Sequence, residues 1–297
     1  MVDTSGQSDV ASGADEHAPL TPLGQMLGNL RPSERLMSED ERGRVTGELF
    51  WDSTNLWPDL WRFFVLIILS TLLAAFGLAA NSVAVIIGAM LVAPLMTPIL
   101  AAAASLLLAD ARKLLTSIAV IAAGTITAIL TGMGVTWIAL DRVTTVYSLP
   151  SEILGRTQPT LLDLGVAIAA GLAGGYVLTH SRASSSLPGV AIAVALVPPL
   201  TAVGILIQIG AASEARGAFL LFFTNLIAIV LSAIVVMLLS GFVPPEIRAQ
   251  GLRHARIGLF VSALLLIAVA VPLTIHTVGC LLYTSPSPRD FKYDLVF

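Results

Sequence analysis

Charge is what this chain has least of. Only 12% of its 297 residues are Asp, Glu, Lys or Arg, against roughly 25% in a soluble domain. Hydrophobic residues make up 56%. A chain so composed cannot clothe a water-facing surface, and it reads as a polytopic, all-α membrane protein. Cysteine is nearly missing as well. Cys280 stands alone, which excludes an intrachain disulfide and any cysteine-rich metal site. HExxH, GxSxG and phosphate-cradling glycine loops do not occur, so catalytic machinery, a cofactor and a metal are not expected, nor is a nucleic-acid partner. The apolar segments hold almost no acids or bases, which argues against a carboxylate-based proton antiporter. The first 30 residues lack a basic start followed by an apolar core. The first membrane segment is therefore expected to act as the insertion signal.

What is present comes in long apolar runs. Residues 1–32 are rich in Ser, Gly, Pro and Asp and are expected to be disordered. Ser38 and Glu41 fit a capping box, which predicts a short helix to about Phe50. Val45 and Leu49 share one face, so that helix either lies on the membrane surface or is solvated. Residues 1–56 are thus read as a cytoplasmic tail. Trp51, Trp57 and Trp61 cluster around Pro58 and mark the first headgroup layer.

A transmembrane domain is expected over 57–278. Seven apolar segments lie at 60–80, 83–108, 114–140, 161–178, 187–209, 218–241 and 257–274, each near or above the ~18–20 residues needed to cross a bilayer. With the N-terminus inside, nine basic residues fall on the inner side. Only Arg142, Arg156 and Arg216 fall outside. That bias predicts a cytoplasmic N-terminus in the inner (plasma) membrane. The stretch 279–297 changes character abruptly. Its CLLYTSPSPRD resembles translated adapter or vector read-through and is left out of fold reasoning.

The second segment organises the rest. NSVAVIIGAMLVAPLMTPIL carries Pro94 and Pro98 inside an apolar run. Proline removes an intrahelical hydrogen bond, and lipid offers the freed backbone no partner. A shift of 105 lays residues 81–97 over 186–202, with six of 17 pairs identical, Pro94/Pro199 among them. Asp110-Ala-Arg112 and Glu214-Ala-Arg216 follow the two copies. Three segments per half is an odd number. The pattern therefore predicts an inverted 3+3 repeat, about 60–140 and 161–241, with a broken second helix in each half. Both breaks would reach the midplane, from opposite faces.

The polar groups near these breaks are neutral. Asn81 and Ser82 open segment two, and Ser184, Ser185 and Ser186 open segment five. Plain helix capping is one reading of them. The other is a site where exposed amides and hydroxyls bind an anion or polar solute. Thr97, the backbone around Pro94, Pro98, Pro198 and Pro199, Thr201 and Asn225 would complete a midplane site. Asn225 reads more readily as interhelical glue. Asp163 reads as a partner of a helix N-terminus, Met90 and Met96 as packing residues, and His180 as interfacial. Ala167, Gly171 and Gly175 form a small-residue stripe that serves either packing within the chain or a homo-oligomer contact.

At these residues a family can be named. GAMLVAPLMTPI, LVPPL and FTNLIAIVLSA resemble the bacterial and archaeal membrane family catalogued as domain of unknown function 389. The likeness covers about residues 60–241 and implies the fold more than an activity. Many members carry a folded soluble domain first, for which the N-terminal 56 residues here are short and polar. The function expected is a transporter or channel for a small anion or polar neutral solute, sited at the proline breaks. The alternative is a non-transporting membrane scaffold or envelope-stress signalling protein. A cavity reaching both proline sites would favour the first, and sites sealed by aliphatic side chains the second.

Overall fold

The computed structural model describes residue 37 and residues 39–50, 56–140, 149–180 and 186–243. Every regular element among them is a helix. In order these are α1 Glu39–Leu49, α2 Leu56–Ala79, α3 Val83–Val92, α4 Met96–Leu108, α5 Ala111–Val135, α6 Ser151–Leu154, α7 Leu161–Thr179, α8 Ser186–Gln208 and α9 Ala212–Leu239. A π turn, Thr136–Leu140, prolongs α5. The tail at 1–32, Ser38, Trp51, the segment at 257–274 and the stretch 279–297 lie outside the described residues.

Four helices are long and apolar enough to cross a membrane: α2, α5, α7 and α9. The pair α3–α4, bent by 55°, makes up to five. Their outward faces carry bare apolar side chains such as Phe76, Ile126 and Leu130, the pattern lipid requires. Trp57 and Trp61 are 80% and 69% exposed at the start of α2, as interfacial tryptophans would be.

The short helix α1 forms, with one face turned to the bundle and the other exposed. Val45 and Leu49 are buried at 0% and 4% in the common core, and α1 leans on α4 and α7. Beside it, Lys113 Nζ sits 4.3 Å above the Phe50 ring.

The first proline break is present and its backbone is accounted for. Pro94 has no N–H for Met90 O, and Ala93 N takes that carbonyl instead at 3.4 Å. The carbonyl this leaves over, Ala89 O, accepts from buried Ser70 Oγ at 2.7 Å. Pro98 falls in the first turn of α4, where a missing donor costs nothing.

The second expected break is absent. α8 runs unbroken through Pro198 and Pro199, which corrects the expectation of a broken helix in each half. The carbonyl Pro199 cannot bond is Ala195 O, four residues back. It accepts from Asn225 Nδ2 of α9 at 3.0 Å. Residues 195–206 are buried throughout, so neighbouring helices hold the backbone where the ladder has a gap. The flanking loops differ too. Asp110 caps α5 by accepting from the Arg112 and Lys113 amides, whereas Glu214 lies inside the first turn of α9.

Small residues set the helix spacing. Gly132 and Gly204 face each other where α5 crosses α8, and a Cβ on Gly204 would meet the backbone of Ile129, Gly132 and Met133. Gly171 and Gly175 lie against Ile229, Ser232 and Ala233 of α9, and Ala167 is fully buried. The stripe on α7 therefore serves packing within the chain. α7 packs on α9 as α2 packs on α5, and α8 lies against both α5 and α9.

Candidate functional site

A cavity of about 320 Å³ opens between α3, α6, α7, α8 and α9. Its deep wall is Met90 of α3, Ala195 and Pro199 of α8, and Leu221 and Asn225 of α9. Its mouth is Ser151, Glu152, Gly155 and Arg156, with Asp163 and Val166 of α7. The two ends differ in exposure. Asn225 is 3% exposed, while Ser151 and Gly155 are on the surface. Asn225 lies midway along α9, about 20 Å of helix from either end at 1.5 Å per residue. The cavity thus leads from one rim of the bundle towards its middle.

The mouth is built by local rules. Glu152 and Arg156 stand four apart and pair at 2.8 Å, and Arg156 also donates to the Glu152 carbonyl. Thr160 and Asp163 form a capping box at the start of α7. Asp163 Oδ2 accepts from Thr160 N at 2.9 Å and from Thr160 Oγ1 at 2.6 Å. The N-terminal role expected of Asp163 is therefore the one it takes, and it lines the cavity besides.

Asn81 holds the mouth in place. It sits in the left-handed region, φ 52°, which asparagine tolerates better than most residues. Ser82 N bonds Gly77 O at 2.9 Å and Asn81 N bonds Leu78 O at 3.2 Å, the double closure of a Schellman cap on α2. Its Oδ1 accepts from Ser151 Oγ and from Glu152 N, both at 3.0 Å. Gly217 abuts the Thr157 carbonyl and pins the far end of the same turn.

The deep end carries the chemistry. Asn225 spends its amide N–H on Ala195 O. Its Oδ1 is buried without a hydrogen-bond partner, the one such side-chain atom among the described residues. A buried unpaired acceptor costs about 1–3 kcal/mol, so it needs an explanation.

Of the expected site residues, the structure brings Pro199 and Asn225 to this cavity, with Met90 just before the Pro94 break. The others sit elsewhere. Asn81 is an exposed strut, and Ser82 occupies the N-cap of α3 without a side-chain cap bond. Pro94 and Thr97 are half-buried, and Pro98 and Pro198 are buried. Thr201 is 0% exposed and donates back to Val197 O at 3.0 Å, so its hydroxyl is already committed within α8. The side chain of Ser186 lies outside the described residues. Sequence reasoning passed over Ser151, Glu152 and Arg156 as loop. The signal was there in Pro-Ser-Glu-x-x-x-Arg, a helix start followed by an i,i+4 ion pair.

Residues 90–231 match the family described as Domain of unknown function (DUF389). The match takes in just under half of the chain. It runs from Met90 at the deep wall through the whole mouth to α9, so it contains every residue of the cavity. An uncharacterized protein of Methanocaldococcus jannaschii is 37% identical over 180 residues. That alignment covers 61% of this chain and 54% of the archaeal one, so the chain spans about half the length of the curated relative it matches. No solved structure matches the chain.

Proposed function

We propose that this DUF389 protein is a transporter or channel for a small polar solute in the plasma membrane, with its N-terminus in the cytoplasm. One observation carries the reading. A cavity with a charged rim runs in to Asn225, whose buried Oδ1 has no partner, in the middle of a membrane helix beside a proline-opened ladder. Polar groups inside a bilayer are costly and mark solute paths, and interrupted helices at mid-depth are where transporters bind. The packing of α2 on α5, echoed by α7 on α9, supports a 3+3 inverted repeat. A scaffold has no use for such a cavity. The Pro94 site, closed by Ser70, would suit a scaffold; the Pro199 site, open to the cavity, suits a transporter.

Reconstitution tests the function. Proteoliposomes should take up at least one solute from a panel of ammonium-type cations, anions and small neutral osmolytes, faster than protein-free vesicles. No acceleration for any solute would end the transport reading.

Labelling tests the orientation. With Cys280→Ser as background, Gly43→Cys on α1 should react with an impermeant thiol reagent only from the cytoplasmic face. Ser213→Cys at the start of α9 should react only from the outer face. Labelling of both from one side would overturn the odd number of crossings between them.

A further inference from the structure

We infer that the cavity takes a small cation bearing N–H donors, ammonium or a small primary amine, and not an anion. The inference rests on the transport-site reading above and names its solute class.

Three features of the lining lead there. The first is the one-sidedness of Asn225. An amide can donate and accept, and one N–H of its NH₂ is bound to Ala195 O at 3.0 Å. That bond also fixes which end of the amide is which, because a carbonyl can only accept. Oδ1 is the polar atom of Asn225 with no partner at all, and it is buried. An anion brought to it would set lone pair against lone pair. A solute N–H satisfies it.

The second feature is charge. Two carboxylates, Glu152 and Asp163, line the cavity against one guanidinium, Arg156. Arg156 is already paired with Glu152 at 2.8 Å. The net charge of the described lining is therefore negative, with Asp163 the carboxylate that none of its cations pairs. Among the described residues, lysines and other arginines do not line it. A cleft lined by one sign of charge concentrates the opposite ion at its mouth.

The third feature is the wall beside the acceptor. Met90, Val166 and Leu221 are apolar. A sugar or polyol would leave hydroxyls unpaired against them, at a cost for each. A solute with a single polar head and little else fits. Methylammonium is such a solute, with its methyl against Met90 and Leu221 and an N–H on Oδ1.

The experiment uses the purified full chain and radiolabelled methylammonium, with chloride, nitrate and urea as comparisons. Two readouts run in parallel: uptake into proteoliposomes, and the rise in thermal midpoint of the detergent-solubilised protein. Saturable methylammonium uptake, competed by ammonium, is expected. Asn225→Leu should raise the methylammonium concentration needed for half-maximal uptake by roughly tenfold or more, the loss of one hydrogen bond to a charged group, and shrink the midpoint shift. Should that variant fail to fold, Asp163→Asn keeps an oxygen for the Thr160 cap and tests the charge instead. It should raise the methylammonium concentration needed for half-maximal uptake and leave any urea signal unchanged. Uptake of chloride, nitrate or urea without methylammonium would overturn the cation assignment and leave the transport reading standing. A methylammonium midpoint shift that depends on Asn225, with no uptake of any solute, would support the site and end the transport reading. Absence of both signals for methylammonium would refute the assignment.

Discussion

Pro94→Ala is expected to cut solute flux by at least about tenfold while leaving membrane insertion intact. The substitution gives residue 94 an N–H within reach of Met90 O and removes the ring that clashes with the preceding turn. Proline inside a helix costs about 3 kcal/mol, so its removal favours fusing α3 and α4 across Ala93 and Leu95. Ala93 N would then return to Ala89 O, where Ser70 Oγ now donates at 2.7 Å. The carbonyl can accept both donors, and even displacing the hydroxyl would cost only about 1 kcal/mol, less than the gain. Straightening the 55° bend would swing Met90, and with it one wall of the cavity. Pro199→Ala should be milder. α8 is already straight there, and Ala195 O has a second lone pair, so a restored N–H can share it with Asn225. The check is flux per folded molecule for both variants, together with spin-label distances between Gly88→Cys and Ala109→Cys in the Pro94→Ala background. A lengthened distance with lost flux is the expected pair. Unchanged flux in Pro94→Ala would remove the break from the mechanism.

Gly204→Ala is expected to destabilise the protein more than any exposed substitution, although it adds one methyl group. The new Cβ would meet backbone on three sides: Ile129 O, Met133 N at 2.9 Å and Gly132 Cα at 3.0 Å. Backbone cannot rotate away as a side chain can. Overpacking a core typically costs 1–3 kcal/mol, sometimes more, and here the relief is a separation of α5 from α8. Gly134→Ala, two residues along the same α5, has nothing within 4 Å of its Cβ. Alanine is preferred to glycine in a helix by about 1 kcal/mol, so that variant should be neutral or stabilising. Thermal midpoints in detergent compare the two directly. Equal midpoints would mean that the α5–α8 crossing is looser than drawn here.

How much of this could be read beforehand depended on the range of the interaction. The apolar runs, the break at Pro94, the cap by Asp163 and the small-residue stripe of α7 were legible, because each is set within a turn or two of helix. The continuity of α8 was not. Proline alone says that Ala195 O is freed, but not that Asn225, thirty residues on, will take it. Asn81 was expected to open a helix and instead closes one, because its left-handed φ serves the end of α2. Thr201 looked available and is spent on Val197 O. The cavity escaped notice for the same reason: its lining comes from five separated helices, and only the fold brings them together.

The two ends of Asn225 do different work, and that joins them. An amide is one conjugated unit, so a donor arriving at Oδ1 draws charge through it and leaves the N–H a stronger donor. Hydrogen bonds in such a chain reinforce one another in a medium of low dielectric. Occupancy would therefore tighten the grip on Ala195 O, at the place where Pro199 leaves the backbone of α8 without its usual bond. A guest on Oδ1 would in that way make the rod beside it stiffer, through the one side chain that touches both.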